Sequence, residues 1–190
     1  MQVTEAIAAR RSVNRLTDQI PGRTEVEKMI EAAIWAPNHR FTEPWRFHVI
    51  AGEDRQRFGQ HLADAKRRRC PPRTDADRAA LKKTAGLFLR APLVIAVSVA
   101  RSTDRVQDLE DYGACCAAIQ NMLLAAWEMG IVSKWRTGDA AQDPAAREYL
   151  GTGPDDRIAG FIYLGYPSRG PIPPPRDRDR GVIDWRSMPE

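Results

Sequence analysis

Three stretches of this chain set arginine beside hydroxyl or amide side chains at close spacing. The first, ARRSVNR at residues 9–15, carries Arg10, Arg11, Ser12, Asn14 and Arg15. A guanidinium presents a fork of donors matched to phosphate or carboxylate, and a serine hydroxyl adds another. The same arginines would equally complement the negative end of a helix dipole, and seven residues leave both readings open. The second stretch, APNHRFTEPWRF, offers Asn38, His39, Arg40 and Thr42 between a helix and a strand, more donors than a connector needs. Its plainer reading has Asn38 and His39 capping the helix while Trp45 fills the core. The third, SKWRTG, sets Trp135, Arg136 and Thr137 in a turn. Together they offer what an anionic, extended, planar ligand requires.

Other chemistries find less support. No GxGxxG follows a strand and no GxxxxGK[ST] is present, so the two best-known nucleotide loops are missing. His39, His48 and His61 lack zinc-site spacing and the cysteines form no CxxC, which argues against a metal. His48 and His61 read as surface residues, the one alternating outward on a strand and the other on a helix. Cys115 and Cys116 stand in apolar helical company, where cysteine serves as a small hydrophobe. The KRRRC run at 66–70 reads as a positively charged helix end. It is also the main feature, with a sequence pI of about 9.2, that would suit a nucleic-acid-binding module. No aromatic platform accompanies it, as base stacking would require.

These groups are positioned by alternating helices and strands. Thr4 is expected to cap a short first helix that delivers Arg10, Arg11 and Ser12 to its C-terminal end. A second helix follows, with Thr24 and Glu27 as a capping pair, an apolar stripe of Val26, Met29, Ile30, Ala33 and Ile34, and a stop at Pro37. PWRFHVI alternates Trp45, Phe47 and Val49 against Arg46 and His48, the period of a half-buried strand. Phe58, Leu62 and Ala65 mark the inner face of a third helix, and a shorter one is expected over 79–85. APLVIAVSVA reads as a central strand covered on both faces, and AGFIYLGYP as a last core strand. Between them, residues 108–129 form the longest helical pattern, apolar nearly all round and stopped by Gly130. The order predicts an α+β layered fold with one sheet.

The 190 residues, 43% hydrophobic and 28% charged, suit one domain spanning 1–190, with 168–190 as a Pro-rich extended arm. The longest apolar run falls short of the roughly 20 residues that cross a bilayer, and no signal-peptide core opens the chain. An odd count of three cysteines, two of them adjacent, suits a reducing compartment, so a cytoplasmic, non-membrane location is expected.

In chain order, AARRSVNRL, MIEAAIWAPNHRFTEPWRFHVI, RAPLVIAVSV, DYGACCAAIQNMLLAAWEMGIVSKWRTG and GFIYLGYP resemble the FMN-dependent nitroreductase family. The version with Pro37, His39 and Pro44-Trp45 is similar to its compact branch. The resemblance implies a central, mostly antiparallel sheet flanked by helices, in an intertwined homodimer with two FMN sites at the interface. It implies that Arg10, Arg11 and Ser12 grip the FMN phosphate and ribityl region. Trp35 and His39 of the partner subunit would approach the flavin, and Trp135, Arg136 and Thr137 would complete the site. Ala125, Ala126, Trp127, Glu128, Met129 and Gly130 correspond to a stretch linked to the nicotinamide cofactor. Two departures stand out: Glu43 replaces a glutamine common in the family, and only the PRDRDR arginines could replace a basic pair near the C-terminus of longer members.

The implied activity is a ping-pong oxidoreductase. NADH or NADPH delivers hydride to flavin N5, and an acceptor such as a nitroaromatic or quinone then takes two electrons. The flavin carries the chemistry, so no catalytic side chain and no metal are expected. A flavoprotein of the same fold with another role, dehydrogenation or flavin storage, fits the same residues.

Overall fold

The computed structural model describes residues 2–170 and Arg186. Among them, helices α1 (Val3–Ala9) and α2 (Arg23–Ile34) precede β1 (Trp45–Ala51). Then come α3 (Asp54–Arg69), α4 (Asp75–Ala85), β2 (Leu93–Val99), α5 (Arg105–Glu128), β3 (Val132–Arg136), α6 (Asp139–Gln142), α7 (Pro144–Leu150) and β4 (Arg157–Gly165). The strands lie in the order β1-β2-β4-β3, every neighbouring pair antiparallel. The expected α+β sheet is therefore present, with β2 central and buried at every residue.

Each face of the sheet carries its own core. On one, Ile95, Val97, Ile162 and Leu164 pack against Met29 of α2 and Ile119, Met122 and Leu123 of α5. On the other, Val94, Ala96, Phe161 and Tyr163 meet Phe58 and Leu62 of α3 and the small residues of α6 and α7. Phe58 is wholly buried between the rings of Phe88 and Tyr149, at centroid distances of 4.3 and 4.4 Å. Phe58, Leu62 and Ala65 thus form the inner face as expected. No helix among the described residues is long and apolar enough to cross a membrane.

Several local expectations are corrected by what surrounds them. α1 begins before Thr4, and Glu5 accepts the Gln2 N–H at 3.0 Å instead. In α2 the N-terminal contact is made by Glu25, which accepts the Gly22 N–H at 2.7 Å, while Glu27 pairs with Arg23. Glu25 also accepts the Tyr166 hydroxyl at 2.6 Å, and these two donors hold its carboxyl below the usual range. Val49 is 47% exposed and Ile50 buried, so the alternation of β1 breaks near its end. His48 is half-buried, not outward: its Nε2 lies 2.9 Å from Ser98 Oγ, and burial pushes its pKa down. His61 is half-buried too, its ring against Tyr149. SKWRTG is no turn; its first four residues belong to β3.

α5 also departs from its pattern at the N-terminal end. Leu109 and Val106 are exposed, whereas Asp108 and Asp111 are buried. Asp108 is shared by Arg101 and Arg157 at 2.9 and 2.7 Å, which compensates its desolvation. The expected arm begins with Ser168, whose N–H donates to Arg15 C=O at 3.1 Å. From residue 171 onward it lies outside the described residues, Arg186 excepted.

α3 and α4 meet at Gly59, where an added Cβ would stand 2.1 Å from the backbone oxygen of Ala85. Gly59→Ala must therefore push the helices apart. We expect it to destabilise the protein by about 1–3 kcal/mol in denaturant unfolding, whereas Gly113→Ala, where a Cβ meets nothing within 4 Å, leaves stability unharmed.

Candidate functional site along the β3 edge

β3 is an edge strand, bonded to β4 on one side. On the other side the chain after α1 pairs with it only at its start: Ser12 bridges Ser133 in parallel fashion, and Val13 N–H donates to Ser133 C=O at 3.2 Å. Peptide groups of alternate residues in an antiparallel ladder point to opposite edges. Ser133 and Trp135 therefore face outward, and beyond Ser133 no further bridge covers this edge among the described residues.

The strand pleat sends its side chains to opposite faces. Trp135 packs on the α5 side, where its indole N–H donates to Ala159 C=O at 3.0 Å. β4 carries a bulge there, because Val97 pairs with Gly160 and Ser98 with Ile158, leaving Ala159 over. The indole lies across Gly160, whose added Cβ would be 2.0 Å from Trp135 Nε1. On the opposite face Lys134 Nζ donates to Asn14 Oδ1 at 2.6 Å. Beside it, the Arg136 guanidinium stands 5.5 Å from the centre of the Tyr163 ring. Burial pushes the Tyr163 hydroxyl up to about 12, so the ring is neutral beneath the cation.

Lys134, Arg136 and Arg90 line a cleft of about 420 Å³ together with Asn14, Leu16 and Tyr163, and among the described residues no carboxylate lies in its wall. Three cations with apolar neighbours and an open backbone edge suit an anionic, partly planar ligand. Lys134 was not singled out by sequence, and Asn14, noted in the N-terminal cluster, was given no role there. Reading SKWR as a strand would have found Lys134, because it shares a face with Arg136.

The N-terminal cluster divides. Arg10 caps the C-terminus of α1. Arg11 Nη1 folds back to donate to the carbonyls of Ala8 and Arg10 at 2.6 and 2.7 Å. Helix-end duty thus claims part of Arg11, while its Nε is buried without a partner. Ser12 is exposed next to β3, and Ser133 Oγ beneath it is buried without a partner. Ser12, Asn14, Lys134 and Arg136 are brought to one strand edge. Trp135 turns to the other face, and Thr137 is exposed just past the strand, lining a separate cleft with Arg101 and Arg147.

Trp35 and His39 stand at the far end of α2. Trp35 is 80% exposed, and Phe41 nearby is 90% exposed. Arg40, Phe41 and Glu43 all have positive φ, between 42° and 55°, which costs free energy in non-glycine residues. Two contacts hold this loop: Asn38 Oδ1 accepts the Glu43 N–H at 3.1 Å, and the Thr42 hydroxyl donates to buried Asp111 at 2.7 Å. Asp111 also accepts from Gln107 at 2.8 Å, which explains why this carboxylate is buried.

Ala125–Gly130 closes a core helix. Ala126 is wholly buried, Ala125, Trp127 and Met129 are half-buried, Glu128 is exposed, and Gly130 ends the helix with φ 75°. Burial pushes the Cys115 thiol up to about 12, and that of Cys116 upward as well, so both are poor nucleophiles. Among the described residues no group of three or more His, Cys, Asp or Glu is placed to hold a metal ion.

Gly160→Ala should expel the Trp135 indole from its seat. We expect a change in tryptophan emission that is absent when the same substitution is made in a Trp135→Phe background. An unchanged spectrum in both would show that the indole adjusts without leaving Ala159.

The chain is similar to known proteins in sequence and in fold. The model of the Nitroreductase family matches residues 7–166. An Escherichia coli (strain K12) protein named "Putative NAD(P)H nitroreductase YdjA" is 32% identical over 168 residues, which cover 88% of this chain and 89% of that protein. A crystal structure of a nitroreductase-like family protein from Bacillus cereus aligns with a TM-score of 0.82 at 29% identity, covering 97% of both chains. A Desulfovibrio desulfuricans structure, described as a "putative nitroreductase in complex with fmn", aligns with a TM-score of 0.72 at 27% identity over 97% and 96% of the two chains. Sequence order, sheet topology and the match over nearly the whole chain agree: the protein belongs to the nitroreductase family.

Proposed function

We propose that the protein is an FMN-dependent NAD(P)H oxidoreductase acting as a homodimer, with FMN held along the open edge of β3. The observation that carries this reading is the donor set gathered there. Ser12, Asn14, Lys134 and Arg136 lie along one edge, with a buried and unpartnered Arg11 Nε and Ser133 Oγ close by. Such orphaned donors cost free energy unless a ligand or water satisfies them.

These residues fit FMN chemically. Arg10 and Ser12 supply a charge-assisted grip for its phosphate, with the Arg11 Nε behind them. Lys134 and Arg136 place positive charge where the electron-rich end of a reduced flavin would be stabilised, a preorganised electrostatic effect. The outward peptide group of Trp135 leaves a backbone donor and acceptor at the same edge. When bound, FMN supplies two-electron hydride chemistry between the nicotinamide donor and an acceptor such as a nitroaromatic or quinone. No side chain of the edge needs to act as nucleophile or general base.

The homodimer is supported by what one chain leaves uncovered. Trp35, Phe41, Val106 and Leu109 are all more than 60% exposed. Exposed apolar side chains gathered on neighbouring elements mark an interaction surface. The strained 38–44 loop, pinned to α5, presents Phe41 and His39 outward, as contribution to a neighbour's site requires.

The purified protein should be yellow, with two flavin bands that bleach on adding NADH or NADPH; a colourless protein that cannot be reconstituted with FMN would overturn the assignment. Arg10→Ala and Ser12→Ala should each weaken FMN retention, Arg10→Ala by about tenfold or more from the loss of a charge-assisted hydrogen bond. Light scattering should give twice the chain mass, and a folded, FMN-loaded monomer would rule out the shared site.

A further inference from the structure

A second and larger cleft, of about 690 Å³, opens on the α3–α4 side of the sheet. Its floor is apolar: Leu62, Leu87, Phe161 and Tyr163. Its rim carries Lys66 and Arg69 from the last turn of α3 and Lys83 from the last turn of α4, with Asp139 and Asp143, at the starts of α6 and α7, as the two carboxylates among its lining residues. Arg69 is tied to Asp143 at 2.5 Å, but none of the described ion pairs engages Lys66 or Lys83. Arg136 and Tyr163 line both this cleft and the smaller one at the β3 edge, so the two adjoin at these residues.

We propose that this cleft holds the phosphorylated adenosine end of NADPH, which makes NADPH the preferred hydride donor. The inference rests on the flavin reading above, because it needs the nicotinamide end to lie at the β3 edge. An apolar floor suits a planar base, and rim lysines outside the described ion pairs suit a phosphate dianion. A small acceptor would occupy only the end near Arg136, leaving the lysine rim unused. The alternative stretch, residues 125–130, closes a core helix around a wholly buried Ala126 and offers no cation. Cys70, exposed at the mouth of the cleft, provides a local reporter.

The test is calorimetric titration of the purified, flavin-loaded protein with adenosine 2′,5′-bisphosphate and, separately, adenosine 5′-monophosphate. The bisphosphate should bind more tightly and slow maleimide labelling of Cys70. Lys66→Gln and Lys83→Gln sit on exposed helix positions and should keep the flavin spectrum and melting temperature. Each should weaken bisphosphate binding about fivefold, the size of one partly screened ion pair. Each should also raise KM for NADPH while kcat/KM for NADH stays unchanged. Equal affinity for the two nucleotides, no binding, unaltered Cys70 labelling or an unchanged NADPH-to-NADH ratio in the variants would overturn the proposal. A yellow protein that NADH bleaches but the bisphosphate does not bind would discard this subsite and leave the flavin site standing. A colourless protein would discard both.

Discussion

The site depends on one constraint: β3 is the last strand of the sheet, and among the described residues only the start of its outer edge is paired. An exposed strand edge presents unpaired N–H and C=O groups and invites another partner. Here the chain after α1 covers the edge at Ser133 and then leaves it, as Thr17 N–H donates to Tyr166 C=O beyond the end of β4. The cover brings Ser12 and Asn14 to the strand, and its departure leaves the peptide of Trp135 outward. A ligand with both charge and hydrogen-bonding edges can then complete what the sheet leaves unfinished.

The two faces of that strand have separate tasks. Trp135 is locked on the α5 side, its indole over Gly160 at a bulge that turns the Ala159 carbonyl toward it. Lys134 and Arg136 are thereby sent to the other face, where the buried aromatic floor begins. A one-residue slip of β3 would exchange these roles, burying cations against α5 and exposing the tryptophan. The bulge, the missing side chain at Gly160 and the indole hydrogen bond make such a slip costly.

At the other end of the molecule, free energy is stored in the loop that follows α2. Three non-glycine residues with positive φ persist because Asn38 and buried Asp111 hold the loop from both sides. Asp111 looks misplaced on a helix otherwise read as apolar, yet it anchors this loop. Leu109 and Val106 on the same helix remain exposed in one chain, which agrees with a surface completed by a second copy.

The local pattern of residues determined much of this protein. The buried run of β2, the inner face of α3, the long α5 and the order of charged segments around them follow from periodicity and composition, which are properties of near neighbours. Those segments, in their order, also carried the family resemblance. What tertiary structure alone decided was which side of each element faces what. Arg11 was drawn partly to its own helix end, His48 was half-buried by Ser98 across the sheet, and SKWR became an edge strand with its tryptophan and arginine on opposite faces. Lys134 met Asn14, 120 residues earlier in the chain, only because the segment after α1 runs beside β3. Pairing across the sheet is a contact between distant residues, so no window of local sequence contains the information that places those side chains.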